Sequence, residues 1–309
     1  MSTVFLNHIV KTSLLALITL LLHKILRKRL HPEQRLWLWL PLAVRSILPV
    51  DFISVDHALK INILPDSQTT DHRLLYIFFA IYLIGLVSGL LRYLYASRKL
   101  KSLLIKNRRA LIHDKIPYPI YLSPYIENAL VISSSGSYEI YIHPKYFENE
   151  KISRHILYHE AAHAIQHAPR YNLLRLVVLL LHWYNPLYWL CAREVAWDFE
   201  CAADSLTLKN LGESEITSFA ETLIDLSTVA GLKTGHRLSS SNALFKNQRE
   251  IKYRLLTLIE CRNKKTKFYV LPLLVMLVLL AFLSTKVSSH DISKQAVLPP
   301  ESKPVIQTK

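Results

Sequence analysis

Two short motifs constrain the fold of this chain more than any other feature. The first is His-Glu-Ala-Ala-His at 159–163, and the second places Glu200 and Asp204 four residues apart. Residues four apart on an α-helix project from the same side, so His159 and His163 can bind one zinc ion. Catalytic zinc typically has three protein ligands and one position for water. Glu200 can be the third ligand, which requires a second helix to fold against the first.

Two acidic residues complete the predicted zinc site. Glu160 is the expected general base: zinc would lower the pKa of its bound water, and Glu160 would take the proton and pass it to the leaving amine. Asp204 lies one turn beyond Glu200 and is expected to accept a hydrogen bond from a ligating imidazole. The oxyanion needs a further donor, and the sequence leaves Tyr158 and His236 as alternatives. HExxH alone also occurs in ordinary amphipathic helices, and the second motif is what makes the site specific.

Other histidines and cysteines are expected to lie outside the zinc site. His155 and His167 continue the four-residue spacing, but a helix turns by about 40° at each such step, so exposed or hydrogen-bonded side chains are expected. His182 is expected to pack or to lie at an interface. Cys201 points about 100° away from its neighbour Glu200 and is expected to be a buried thiol. Three cysteines without a CxxC pair favour a reducing compartment.

Composition indicates a helical membrane protein. Of 309 residues, 51% are hydrophobic. The chain has only 6 glycines but 38 lysines and arginines. The net charge of +15 comes mainly from basic residues beside apolar runs, at 27–29, 98–99, 108–109 and 262–267. That distribution is typical of membrane-flanking charge. Since no nucleic-acid-binding module surrounds these charges, no direct nucleic-acid partner is predicted.

Four apolar runs are candidate transmembrane segments, at 4–26, 36–50, 74–95 and 268–283. Positive charge follows the first run rather than preceding it, which disfavours a cleaved signal peptide. The second run is short and contains Pro41 and Arg45, so it is either a span packed against its neighbours or a re-entrant segment. The positive-inside rule places the basic loop 27–35 in the cytoplasm, the N-terminus and loop 51–71 outside, and the zinc motifs in the cytoplasm.

A fifth apolar run, at 173–190, is expected not to cross the membrane. A span here would put the two zinc motifs on opposite sides. The run is therefore predicted to form two helical pieces broken at Asn185-Pro186, either buried or at the membrane surface. The predicted organisation is a membrane domain at 1–98, a cytoplasmic peptidase domain at 99–267, a last span at 268–284 and a short external disordered tail at 285–309.

Short strand-like segments precede the first zinc motif, at 118–122, 130–133 and 138–142, with a turn signal at 134–137. They predict a small sheet whose edge can hold an extended peptide substrate. Ser153 is the expected N-cap of a helix at 154–166. A second helix, at 189–208, is expected to carry Glu200 and Asp204.

Together these motifs resemble the BlaR/MecR-type antirepressor zinc metallopeptidases of bacteria. The likeness covers most of the chain, and an aromatic-Asn-Pro signature combined with both zinc motifs is specific. The resembling segments are Leu36-Trp37-Leu38-Trp39 through Ile47-Leu48-Pro49, the HExxH motif, Asn172-Leu173-Leu174, Trp183-Tyr184-Asn185-Pro186-Leu187 with Trp189, Glu200 with Asp204, and 245–258 with Arg249 and Arg254. Two positions depart from the family pattern, Ala168 and Ala203.

The resemblance implies a mainly α membrane protein of about four transmembrane helices with a cytoplasmic α+β gluzincin-like zinc peptidase domain, in the bacterial inner membrane. It implies cleavage of a cytoplasmic regulatory protein, such as a repressor, or of the chain itself in signal transduction. No penicillin-binding sensor domain like that of the best-known relatives is expected after the last span, so a separate sensor protein is an expected partner. Two alternatives stay open, a heat-shock-type quality-control peptidase and a non-catalytic transducer with structural zinc. The Asn-Pro signature argues against the first, and the intact Glu160 argues against the second.

Overall fold

Helices dominate the computed structural model, which describes residues 2–48, 72–106, 108–134, 136–231 and 248–261. One four-stranded sheet accompanies them. The elements are α1 (Ser2–Leu26), α2 (Pro32–Arg35), a 3-10 turn (Leu36–Trp39), α3 (Leu40–Ile47), α4 (His72–Lys106), β1 (Arg109–Leu111), β2 (Ile120–Leu122), β3 (Ala129–Ser134), β4 (Ser137–Ile142), a 3-10 turn (Pro144–Glu148), α5 (Glu150–Ile165), α6 (Ala168–Leu181), α7 (Pro186–Leu211), a 3-10 turn (Glu213–Glu215), α8 (Ile216–Gly231) and α9 (Gln248–Cys261). The predicted mainly α chain with a small sheet is confirmed at this level.

The sheet has the strand order β1-β2-β4-β3. Strands β2 and β4 are parallel, whereas β1 pairs with β2 and β3 with β4 in antiparallel fashion. Gly136 has a φ of 87° between β3 and β4, a backbone conformation that glycine adopts without steric cost. The sequence predicted β2, β3 and β4 but not β1, which has only three residues and no buried one to give an alternating pattern.

The core that supports the sheet lies between β4 and α5. Ile140 and Ile142 of β4 are fully buried, and they belong to one cluster with Ile156 and Leu157 of α5. Each such side chain contributes about 1.5–3 kcal/mol by leaving water. Helices α8 and α9 add residues to the same cluster. The helix that carries the HExxH motif is therefore held on a rigid layer.

Two described helices are long and apolar enough to cross a membrane, judged by length and composition. They are α1, over His8–Leu26, and α4, over Tyr76–Lys106. Helix α4 continues past the predicted span end at 95 and through the predicted domain boundary at 98. The run at 36–50 forms the first 3-10 turn and α3 up to Ile47, and these pack against α1. The predicted last span, the tail and the loop 51–71 lie outside the described residues.

The predicted break in the fifth apolar run is confirmed. Helix α6 ends at Leu181, and α7 begins at Pro186. Asn185 is the N-cap of α7, and its side-chain oxygen accepts a hydrogen bond from the Leu187 N–H at 3.0 Å. Its amide nitrogen donates to Ser13 Oγ at 2.8 Å, which ties the start of α7 to α1. Helix α7 thus extends beyond the predicted 189–208 at both ends.

Candidate metal centre

Helix α5 carries the HExxH motif, and its start differs from the prediction. Asn149, not Ser153, is the N-cap: its backbone is extended, and its side chain accepts a hydrogen bond from the Ile152 N–H at 3.2 Å. Ser153 lies inside the first turn, where its hydroxyl donates to the Glu150 carbonyl at 3.0 Å. Asn and Ser are equally good caps, so the extended backbone after the preceding 3-10 turn decides between them.

Helices α5 and α7 bring His159, His163 and Glu200 together. His159 Nε2 lies 3.5 Å from Glu200 Oε2, and His163 Nε2 lies 3.6 Å from Glu200 Oε1. When one potential ligand atom is taken from each residue, the three atoms lie within 4.8 Å of one another. All three residues are buried. Two ligand atoms about 2.0–2.2 Å from a tetrahedral zinc would lie about 3.3–3.6 Å apart. The two nitrogen–oxygen distances, which end on different oxygens of Glu200, fall in this range, so the three residues are close enough to bind one metal ion.

Unpaired polar atoms at this position also fit a metal site. Within the described part of the chain, both carboxylate oxygens of Glu160 and both ring nitrogens of His163 are buried without a hydrogen-bond partner. Leaving a buried polar group unsatisfied costs about 1–3 kcal/mol. An ion and the water around it would satisfy the Glu160 oxygens and one of the two His163 nitrogens. Two imidazoles and a carboxylate form a donor set that zinc accepts.

Asp204 and Arg254 contact the residues of this cluster. Asp204 Oδ1 lies 3.2 Å from His159 Nδ1, within reach of a hydrogen bond from that imidazole. Arg254 of α9 donates from Nε to Asp204 Oδ2 at 2.7 Å and from Nη2 to Asp204 Oδ1 at 2.5 Å. Its Nη1 lies 3.2 Å from Glu200 Oε2. Burial alone would raise the pKa of Asp204, but the charge of Arg254 and the contact with His159 hold that pKa below its ordinary value.

Sequence reasoning missed the role of Arg254. The residue was noted only as part of a segment that resembles the family. A local signal existed, since Arg254 falls between Ile251 and Leu258 on the buried stripe of an amphipathic helix. A charged residue on such a stripe needs a buried partner.

The environment of Glu160 suits a general base. Burial raises the pKa of its carboxyl to about 7, and His163 opposes this rise. A base acts most effectively near neutral pH when its pKa lies in that range. Glu160 projects from the same helix as the two histidines and is 1% exposed.

The other side chains named in the sequence analysis lie away from the cluster or form hydrogen bonds outside it. His155 Nδ1 lies 2.8 Å from Thr222 Oγ1, and His167 Nδ1 lies 3.0 Å from the Tyr138 hydroxyl, as hydrogen-bonded side chains would. Cys201 is buried, as expected. The His182 ring is buried and stacks on Tyr188, with 4.1 Å between ring centroids. Of the two oxyanion candidates, Tyr158 is half-buried on α5, and His236 lies outside the described residues.

The described residues line an apolar cavity of about 510 Å³. The first 3-10 turn and α3 form one wall, and α6 and α7 form the other. Its lining includes Gln166, which follows α5, and Phe199, which precedes Glu200. The volume falls within the range of about 300–1,000 Å³ typical of ligand pockets. His159, His163, Glu160 and Glu200 do not line it, so this cavity is separate from the candidate metal centre.

Comparison with known proteins identifies the family. The family model described as "BlaR1 peptidase M56" matches residues 66–258. The chain is 25% identical to the regulatory protein BlaR1 of Staphylococcus aureus over 164 residues, which are 52% of this chain and 27% of that protein. It is 23% identical to the regulatory protein BlaR1 of Bacillus licheniformis over 198 residues, 59% of this chain and 32% of that protein.

The chain therefore spans about a third or less of the length of these relatives. The matched region of the family model contains both motifs of the candidate metal centre and all of α5, α6 and α7. This match confirms the resemblance that the motifs predicted. Because the model covers more than half of the residues, the chain belongs to the BlaR1 peptidase M56 family.

Proposed function

We propose that this protein is a membrane-anchored zinc endopeptidase that cuts a cytoplasmic regulatory protein, or itself, in signal transduction. The observation that carries the proposal is the buried cluster of His159, His163 and Glu200 beside the unpaired carboxylate of Glu160. Membership of a peptidase family supports the reaction class. The relatives are named regulatory proteins, which favours a signalling role over quality control.

His159, His163 and Glu200 are the proposed zinc ligands. When bound, zinc would lower the pKa of a water molecule and polarise the scissile carbonyl. Asp204 would accept the Nδ1–H of His159, which fixes the tautomer that leaves Nε2 free as a ligand. Arg254 would keep Asp204 and Glu200 ionised and in place.

Glu160 is the proposed general base and acid. Its carboxylate would take one proton from the attacking water as the new C–O bond forms. The same carboxyl group would then deliver that proton to the amine nitrogen as the C–N bond breaks. Since both carboxylate oxygens are free of hydrogen bonds within the described residues, either one is available for the transfer.

The edge of strand β3 is the proposed binding site of the peptide substrate. It lies at one end of the strand order and, among the described elements, pairs only with β4. Helices α5 and α6 both pack against it, so its open edge runs beside the helix that carries the cluster. An extended peptide can add to such an edge by backbone hydrogen bonds.

The proposed location is the bacterial inner membrane, with the N-terminus outside and the catalytic residues in the cytoplasm. Helices α1 and α4 meet the length and composition of spanning helices. This orientation requires the short run at 36–50 to cross the membrane packed against its neighbours, rather than to be re-entrant, and the run at 268–283 to supply the last crossing. The basic segments that flank these runs support this orientation. A cytoplasmic repressor-like protein is the proposed substrate, and a separate sensor protein is a proposed partner.

Glu160→Gln tests the proposal, because the amide keeps the shape of the carboxylate but cannot take a proton. The full-length variant should bind one zinc ion, measured by elemental analysis, and cleave a peptide library about 10²–10⁴-fold more slowly than the unmodified protein. Glu150→Gln is the matched control, since Glu150 lies in the first turn of the same helix. Cleavage at the unmodified rate by the Glu160 variant would contradict the mechanism. Zinc without any cleavage by the unmodified protein would support a non-catalytic transducer instead.

A further inference from the structure

A second buried polar cluster lies on the opposite side of α7 from Glu200. Asp198 is 0% exposed, and two residues along a helix correspond to about 200° of rotation. Asp198 Oδ2 accepts a hydrogen bond from Trp39 Nε1 at 2.9 Å and lies 2.8 Å from His23 Nε2. The cluster therefore joins α7 to α1 and to the 3-10 turn that follows α2.

Tyr253 connects this cluster to α9. Its hydroxyl donates to Asp198 Oδ1 at 3.3 Å and accepts from Arg35 Nη1 at 2.9 Å. The Arg35 guanidinium also lies 3.9 Å from Asp198 Oδ1. The tyrosine ring is held between Arg27, whose Cζ is 5.7 Å from the ring centroid, and Trp197, whose ring centroid is also 5.7 Å away. The side chain thus contacts α2, α7 and the segment that follows α1.

The residue after Tyr253 is Arg254, which clamps the candidate metal centre. Two neighbouring residues on a helix point about 100° apart. Tyr253 accordingly reaches Asp198, whereas Arg254 reaches Asp204 and Glu200. A bidentate guanidinium–carboxylate contact requires a narrow range of distances and angles. The position of α9 therefore determines how well Arg254 contacts Asp204 and Glu200.

We propose that Asp198 and Tyr253 are positioning residues of the metal centre, which they hold through Arg254. Their contacts hold α9 against α1, α2 and the following 3-10 turn. The same contacts keep Arg254 aligned on Asp204 and Glu200. The inference rests on the proposed function, because it assumes that the cluster binds zinc.

Tyr253→Phe tests the inference, since it removes only the hydroxyl that joins α9 to Asp198. In the full-length protein, we expect the dissociation constant for zinc, measured by competition with a chelator, to rise about tenfold. Lys209→Met is the matched control. Its ammonium pairs with Glu33 at 2.7 Å and also joins α7 to α2, but on the exposed surface. This control should leave the zinc affinity unchanged.

A double-mutant cycle separates positioning from general packing. In an Arg254→Lys background the clamp is already weakened, so Tyr253→Phe should change the zinc affinity by less than about twofold. Asp198→Asn, which keeps the shape but removes the charge, should repeat the effect of Tyr253→Phe. Unchanged zinc affinity in both single variants, or fully additive losses in the double variant, would overturn the inference. Failure of the unmodified protein to bind zinc would instead contradict the proposed function.

Discussion

Arg254 is fully buried and contacts two carboxylates, those of Asp204 and Glu200. A buried ion pair stabilises the fold little more than an apolar pair of the same shape would. Removing one partner, however, leaves the other charge buried without a counter-ion. The arginine is thus a structural requirement for two residues of the candidate metal centre. Its own pKa is raised, because the charges of the two carboxylates outweigh the effect of burial.

Arg254→Met should therefore destabilise the metal-free protein by about 3–5 kcal/mol, because Asp204 and Glu200 lose their cation. Chemical unfolding of the purified chain measures this difference. Lys252→Met, at an exposed position on the same helix, is the control and should change the free energy of unfolding by no more than about 0.5 kcal/mol. Equal stability of the two variants would show that the clamp is not required.

At the level of single residues, motif spacing pointed to the members of the cluster but not to the residues that support it. His159, His163 and Glu200 were selected by spacing, and the fold places them together. Arg254 and Asp198 were not selected for a role, because their partners are distant in the chain. Asp198, for example, meets Trp39 across 159 positions of sequence. No local pattern records such a pairing.

Among the structural elements, the start of α7 decides how the two metal-binding helices meet. Asn185 caps the helix through the Leu187 N–H and also donates to Ser13 of α1. Proline as the first helical residue stops the preceding helix from continuing. One asparagine thus directs α7 back towards α5 and fixes it to α1.

Asn185→Ala should cost more than the loss of an ordinary cap. The missing cap accounts for about 1 kcal/mol, and the lost bond to Ser13 adds about 0.5–1.5 kcal/mol. Asn149→Ala is the matched control, because Asn149 caps α5 in the same manner. Thermal unfolding in detergent measures both variants. A smaller loss for Asn185→Ala than for Asn149→Ala would count against its role in fixing α7.

Helix α4 approaches α6 at a pair of glycines four residues apart. A Cβ atom on Gly85 would clash with the Trp183 indole, and one on Gly89 would lie 2.7 Å from Leu180. The Trp183 Nε1–H donates to the Tyr82 carbonyl at 3.3 Å across the same contact. Small residues allow close packing of this kind between apolar helices.

Gly85→Leu should force α4 away from Trp183 and lower stability by about 1–3 kcal/mol through overpacking. Ala80→Leu adds a leucine to the exposed face of the same helix and should be nearly neutral. Thermal unfolding in detergent compares the two. Trp183→Ala should recover part of the loss in the Gly85 variant, and no recovery would mean that the indole is not the obstacle.

At the scale of the whole molecule, the positive-inside rule predicts on which side of the membrane the metal centre lies. Lys209→Cys, in a Cys261→Ser background, should react with an impermeant maleimide in inverted membrane vesicles but not in right-side-out ones. Lys60→Cys, in the predicted external loop, should show the opposite pattern. The two remaining cysteines, Cys191 and Cys201, are buried and give little background. Reaction of Lys209→Cys from the outside would overturn the topology.

The sequence by itself determined the features that depend on near neighbours. Helical spacing paired His159 with His163, and a turn signal beside a strand-like segment marked β4. Asn185-Pro186 interrupted an apolar run that would otherwise be predicted to span the membrane. Each of these follows from backbone geometry or capping chemistry within a few residues. The local choice of cap at α5 was wrong, because two good capping residues lie close together and only the backbone of Asn149 is extended.

The tertiary structure alone decided the contacts between distant segments. It placed Arg254 on Asp204, and it joined Asp198 to His23, Trp39 and Tyr253. Buried charges must find partners, but hydrogen-bonding chemistry does not specify which of many polar residues will be close enough. That choice depends on how α1, α7 and α9 pack, and therefore on the whole apolar core rather than on any one motif.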